Sequence, residues 1–245
     1  MKIIVSDTYQ ELSEKVASVV AALINRKKDA VLTFPSGDSP LGLFQALVRK
    51  AKEGLADFSS CHFVGLDEWG GMDIHDEGSC QHFIYKELFN PLGIRPDQIT
   101  YFDAKSNDPE ADCKRVDKEV DVLGGIDLIV LGIGMNGHLG FNEPGVSEDC
   151  YSLIVDLDQI TKEVGQKYFP KEMQLTKGIS LGLKRIMNTG QVILIANGKK
   201  KASIVRQTVE GTISNQIPST IVRRHKDVCL YIDKEAASEI NVNKD

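Results

Sequence analysis

The chain has 245 residues, 42% of them hydrophobic and 26% charged, an ordinary globular composition that excludes disordered, collagen-like and fibrous classes. Its 29 Lys and Arg against 35 Asp and Glu leave a net charge of −6, so it carries no basic footprint for nucleic acid or for an acidic membrane. No apolar run approaches the roughly 20 residues of a membrane helix, Met1–Asp7 meets an acid too early for a signal peptide, and Cys61, Cys80, Cys113, Cys150 and Cys229 form neither a CxxC pair nor a disulfide ladder. The expectation is a cytoplasmic protein with reduced thiols.

In chain order, Lys2–Val5 reads as a strand, Tyr9–Asn25 as an amphipathic helix, Ala30–Phe34 as a strand and Leu41–Glu53 as a helix. His62–Leu66 reads as a strand, Cys80–Phe89 and Asp108–Val122 as helices, and Ile126–Ile133 as a strand. Gln159–Tyr168 reads as a helix, Gln191–Ala196 as a strand, Lys200–Val209 as a helix and Asp227–Ile232 as a strand. The second strand and Ile126–Leu131 are apolar nearly throughout, as strands buried on both faces are. The pattern predicts a doubly wound α/β fold with a mainly parallel sheet and helices on both faces, in one domain over 1–245. Ligands in such folds bind beyond the carboxyl ends of the strands. Three strand exits stand out: Pro35–Pro40, Asp67–Gly71, and Gly132 through Gly145.

Gly132-Ile133-Gly134-Met135-Asn136-Gly137 matches the dinucleotide fingerprint, but that fingerprint works only when its third glycine opens a long helix. Gly140 and the turn Asn142-Glu143-Pro144-Gly145 follow instead, which argues against nucleotide binding. The same loop brings Asn136, His138 and Glu143 within eight residues. A histidine can move protons near neutrality, a carboxylate can fix its tautomer, and glycines let backbone amides approach an anion. The bland alternative is a Gly-rich turn with a surface histidine. Asp67, the first polar residue after a buried strand, is a candidate general base, or else a turn cap. Glu68 is expected to face the other side by strand alternation, as a structural or supporting group. Ser36, Gly37, Asp38 and Ser39 look like a phosphate cradle, with Ser39 as helix cap and Pro40 as first helical residue. Lys201 could reach a phosphate, or belong with Lys199 and Lys200 to a solvated face. No ligand spacing for zinc or calcium is present, so no metal is expected, and the absence of GxSxG weighs against an α/β-hydrolase.

Leu66-Asp67-Glu68-Trp69 and the run Leu131 through Gly145 resemble the glucosamine-6-phosphate deaminase (isomerase) family, with similarity over most of the chain. The resemblance implies a modified Rossmann-like sheet, no metal or organic cofactor, and conversion of a 2-amino-2-deoxyhexose 6-phosphate with water into a ketohexose 6-phosphate and ammonia. It implies Asp67 as the base that carries the C2 proton to C1, His138 as the acid/base of ring opening, and Asn136 and Glu143 as its assistants. Substrate phosphate would lie against Ser36–Ser39 and Lys201, near Gly137, with Lys167 as the nearest match to a basic residue that helps to hold it. Asp38 stands where family members usually have a small uncharged residue, and Trp69 replaces a more frequent Tyr. Thr176–Leu183 is closer to the galactosamine-6-phosphate branch, which leaves the C4 epimer open. A homo-oligomer is possible, while membrane and nucleic-acid partners are not expected. Two alternatives remain: a 6-phosphogluconolactonase-like hydrolase, from which Glu143 discriminates, and a sugar-phosphate-sensing binding domain, which would need a helix-turn-helix ahead of the first strand.

Overall fold

The computed structural model describes residues 1–241, and the last four positions of the expected 1–245 domain lie outside them. Ten strands are present among these residues: β1 (Lys2–Ser6), β2 (Val31–Thr33), β3 (His62–Val64), β4 (Asp67–Trp69), β5 (Ile99–Thr100), β6 (Leu128–Gly132), β7 (Ser152–Asp156), β8 (Lys177–Leu181), β9 (Gln191–Ala196) and β10 (Val228–Asp233). Eight α-helical segments accompany them: α1 (Tyr9–Arg26), α2 (Leu41–Lys52), α3 (Cys80–Ile84), α4 (Asn90–Leu92), α5 (Pro109–Val122), α6 (Gln159–Gly165), α7 (Leu183–Met187) and α8 (Ala202–Glu210).

Seven strands form one parallel sheet in the order β1-β10-β9-β6-β2-β3-β5. From β2 the chain winds outward through β3 to β5, then returns to β6 beside β2 and winds the other way through β9 and β10. The direction therefore reverses between β2 and β6, and their carboxyl ends flank the switch point where open α/β sheets bind ligands. Period-two alternation divides the core between the two faces. Leu128, Val130, Ile193 and Ile195 pack on the side of α1 and α2, whereas Ile129, Leu131, Val192 and Leu194 pack on the side of α5 and α8. Helix starts follow capping chemistry: Thr8 accepts from the Glu11 amide, Asp108 from Ala111 ahead of Pro109, and Asp158 from Ile160.

All six expected strands lie in this sheet, and the doubly wound architecture is as the sequence implies. Three details differ. The strand expected over His62–Leu66 stops at Val64, because Gly65 lets the Tyr101 ring lie across the backbone: a β-carbon there would meet the ring at 2.6 Å. The chain then turns into β4, which with β8 and β7 makes a separate antiparallel sheet of three strands. Its side chains join Met72, Cys80, Phe141 and Leu175 in a small core around Trp69, whose ring lies 4.6 Å from that of Phe141. Lastly, Ser39 does not cap α2 through its side chain. The residue at that position is Pro40, and the Tyr9 hydroxyl serves the helix start instead, accepting from the Gly42 amide at 2.7 Å.

The interior strands set the stability of this frame. Leu131 on β6 is fully buried, so Leu131→Ala is expected to cost about 2–5 kcal/mol in urea unfolding, while Val122→Ala, at a position 79% exposed, stays within about 0.5 kcal/mol.

Candidate active site

The exits of β2 and β6 meet at the switch point. A β-carbon on Gly132, the last residue of β6, would lie 3.8 Å from that of Ser39. The third exit joins them through buried contacts: Gly140 packs on Leu66, and the Ser180 hydroxyl stands between the Phe141 amide, 3.2 Å away, and the Leu66 carbonyl, 3.3 Å away. The three expected loops thus line one crevice. A cleft of about 400 Å³ along α1 and Tyr231 contains no residue of these loops.

Asp67 opens β4 and is buried, with its carbonyl held by the Tyr101 hydroxyl at 3.1 Å. Among the described residues, its Oδ1 has no hydrogen-bond partner. Burial, reinforced by the neighbouring Glu68 and only partly offset by the Cys80 thiol, pushes the Asp67 carboxyl up to about 7. That thiol also lies beside the Ser36 hydroxyl, which ties Asp67 to the cradle loop. Glu68 is fully buried but accepts three backbone amides, from Trp69 at 2.8 Å and from Cys80 and Gln81 at 2.9 Å. The latter two are orphan donors in the first turn of α3, so Glu68 anchors that helix, in keeping with its expected supporting part. Burial raises its carboxyl too, while the three donors pull it back.

The β6 exit forms no helix after Gly137; Leu139 and Asn142 bridge instead, which removes the dinucleotide reading. The His138 ring lies flat on Gly134, where a β-carbon would sit 2.4 Å from it. Its Nδ1 is 3.0 Å from Thr161 Oγ1 and 3.5 Å from Glu143 Oε2. Asn136 braces this arrangement: its Nδ2 donates to Glu143 Oε2 at 3.0 Å, and its Oδ1 accepts the His138 amide at 3.2 Å. Burial raises the Glu143 carboxyl, but His138, Thr161 and Asn136 outweigh it and hold the group below its ordinary value. Gly137 is less available to a ligand than expected. Its amide donates to the Gly134 carbonyl, its own carbonyl accepts from Ser219, and its α-carbon packs on Ile217, so its positive φ of 84° serves the turn.

At the cradle, Gly37 has φ 93° and the Tyr168 hydroxyl over its α-carbon, where a β-carbon would be 2.7 Å from that oxygen. The ammonium of Lys167, in the single turn that follows α6, pairs with Asp38 across the loop. Asp38 thereby neutralises a cation that a phosphate would otherwise meet. Lys199 and Lys200 are exposed, but Lys201 is drawn inward, donating to the Ile133 carbonyl. Burial, with Lys167 nearby, brings its ammonium down to about 8. Among the described residues no three His, Cys, Asp or Glu side chains gather as metal ligands, and no helix is long and apolar enough to cross a membrane.

Sequence reasoning missed Thr161 and Tyr168. Both sit on the expected helix Gln159–Tyr168, where helical spacing gives no sign that one face meets His138 and the cradle. Cys80 was legible only as a thiol, not as a neighbour of Asp67.

Residues 5–231 match the model of the glucosamine-6-phosphate isomerases/6-phosphogluconolactonase family. The chain is 38% identical over 243 residues to a glucosamine-6-phosphate deaminase of Clostridium botulinum, covering 99% of this chain and 100% of that protein. It is 35% identical over 241 residues to one of Thermoanaerobacter sp., covering 98% and 95%. A solved monomeric glucosamine-6-phosphate deaminase superposes with a TM-score of 0.95 at 35% identity, over 98% of this chain and 100% of the other. A 6-phosphogluconolactonase from Trypanosoma brucei, at a TM-score of 0.77 and 20% identity over 98% of each chain, shares the fold. The chain belongs to the family of glucosamine-6-phosphate isomerases and 6-phosphogluconolactonases.

Proposed function

We propose that the protein is an isomerising deaminase of a 2-amino-2-deoxyhexose 6-phosphate, with glucosamine-6-phosphate as the substrate and fructose-6-phosphate and ammonia as the products. The observation that carries this reading is the pairing of a buried carboxyl, Asp67, with an imidazole backed by a low-lying carboxylate, His138 with Glu143, on adjoining strand exits. His138 moves the proton between the anomeric hydroxyl and the ring oxygen, and Asn136 and Glu143 keep it in place. Asp67 removes the C2 proton of the opened sugar, which the C1 carbonyl acidifies, and returns it to C1 on the same face. The resulting C2 iminium adds water, and the carbinolamine loses ammonia to leave the ketose. Ser36, Gly37, Ser39 and Lys201 grip the phosphate, and Lys167 exchanges Asp38 for it. The reading places the enzyme in the cytoplasm without a metal or organic cofactor. Glu143 favours this chemistry over lactone hydrolysis.

The direct test is ammonia release from glucosamine-6-phosphate and galactosamine-6-phosphate in parallel; release from neither overturns the reading, and the ratio of the two kcat/KM values assigns the epimer. Asp67→Asn is expected to bind sugar phosphate and lose about 10²–10⁴-fold in turnover, together with solvent deuterium incorporation at C1. It should also be the more stable protein at about pH 8. Folding holds Asp67 above its ordinary value, so between about pH 4 and pH 7 the native state binds more protons than the unfolded chain and this group lowers stability as the pH rises. Urea unfolding at both ends of that window checks the sign.

His138→Gln should impair turnover of the cyclic substrate by about 10²–10⁴-fold and spare an open-chain analogue; equal losses would remove the ring-opening role. Because the Lys201 ammonium titrates near 8, KM is expected to rise as the pH passes through about 8, the charge being lost on the alkaline side. Lys201→Ala should raise KM by roughly 10- to 150-fold at neutral pH and flatten that limb, whereas an unchanged KM would return Lys201 to the solvated face.

A further inference from the structure

The contact between His138 and its carboxylate is longer than a hydrogen bond. Glu143 Oε2 stands 3.5 Å from Nδ1 and is already taken by the Asn136 amide at 3.0 Å, whereas good N–H···O bonds lie at about 2.7–3.2 Å. Thr161 Oγ1, at 3.0 Å, is within that range. The Thr161 side chain is nearly fully buried in the first turn of α6, and its hydroxyl helps to hold the Glu143 carboxyl below its ordinary value. Other helical hydroxyls are used differently: Ser13, Ser18 and Thr208 each donate to the carbonyl four residues earlier. Thr161 makes no such bond and turns its hydroxyl to the imidazole.

We propose that Thr161 is the positioning residue of His138, a hydroxyl bridge that accepts the Nδ1 proton and donates its own to Glu143. The direction of the bridge follows from its ends. Glu143 is a carboxylate and can only accept, so the hydroxyl proton points to it and the hydroxyl lone pair is left for Nδ1–H. The imidazole is thereby fixed as the Nδ1-protonated tautomer, with Nε2 bearing the lone pair that takes up a proton. Gly134 completes the clamp from the other side of the ring, since any side chain there would displace it. This inference rests on the reading of His138 as the ring-opening acid/base, and it assigns the alignment of that group to an element 23 residues further along the chain.

The test pairs Thr161→Val, which keeps the shape and removes the hydroxyl, with Thr161→Ser, which keeps the hydroxyl. Thr161→Val is expected to lower kcat on the cyclic hexosamine phosphate by about 10- to 100-fold, as loss of an orienting partner does, with KM within about twofold, because the phosphate contacts are untouched. Thr161→Ser should recover most of the loss. The ¹⁵N spectrum of the histidine side chains should show an Nδ1-protonated His138 in the parent and in Thr161→Ser, and a mixture of tautomers in Thr161→Val. A Thr161→Val protein with the parent's kcat and the parent's spectrum overturns the proposal, as does a folded Thr161→Ser protein as impaired as Thr161→Val. If the parent releases ammonia from neither hexosamine phosphate, the deaminase reading fails, and the substrate-free spectrum decides the role of Thr161 by itself.

Discussion

Two consecutive carboxyls, Asp67 and Glu68, are buried at the point where the chain leaves the main sheet, and much of the local architecture follows from making that tolerable. A buried charge is costly unless hydrogen bonds replace its water. The fold distributes the available donors unequally. Glu68 takes three backbone amides, two of them from the start of α3, whereas Asp67 is left with one oxygen that no donor reaches. The helix behind β4, its start at Cys80 and the Ser79 cap are therefore fixed by the group that does no chemistry in the proposed reaction. Its neighbour is kept buried and weakly acidic, which is the condition for a carboxylate to act as a base near neutral pH.

The opposite sign of charge is handled in the same way at the cradle. Lys201 is a half-buried ammonium whose charge that burial disfavours, and Lys167 nearby disfavours it further. Asp38, which in the sequence looks out of place for a phosphate site, is the counter-charge that lets two lysines share one loop, through its pair with Lys167. A carboxylate at the mouth of an anion site opposes an incoming phosphate only while it faces inward, and here it is turned onto a cation.

How much of this was legible depended on the length of the signal. Runs such as Leu128–Leu131 declare themselves because both faces of the strand are buried, and the alternation that splits them between two core clusters needs no further information. The Gly132–Gly145 exit was legible as chemistry for the same local reason: Asn136, His138 and Glu143 lie close in sequence and are brought together by a short turn. Strands of three residues such as β4, paired to a segment more than a hundred residues away, carry no periodicity to read. Thr161 was hidden differently. In sequence it is one polar residue of an amphipathic helix, and only tertiary packing turns its face toward His138. Ser39 and Pro40 carried the right local signal for a cap, but the Tyr9 hydroxyl from another helix took the role.

The unpartnered buried atoms show where the fold departs from its own rules. Asp67 Oδ1, Asn142 Oδ1 and Glu143 Oε1 all lack partners among the described residues, and all three lie on the exits that form the crevice. Ser6 Oγ, Thr33 Oγ1 and Arg185 Nε are also without partners, but other buried polar side chains are supplied: His225 has the carbonyls of Thr189 and Asp227 within 2.9 Å of its ring nitrogens, and Gln98 donates to the carbonyls of Phe58 and Cys61. At the crevice, by contrast, Asp67 and Glu143 each keep one carboxyl oxygen that no donor among the described residues reaches. Such local inconsistency within a consistent frame is expected of a functional site. It also accounts for why a shared fold does not fix the reaction: the parallel sheet supplies the crevice to every member with this topology, while the division of donors between Asp67 and Glu68, and between Glu143 and Thr161, depends on side chains that the sheet does not dictate.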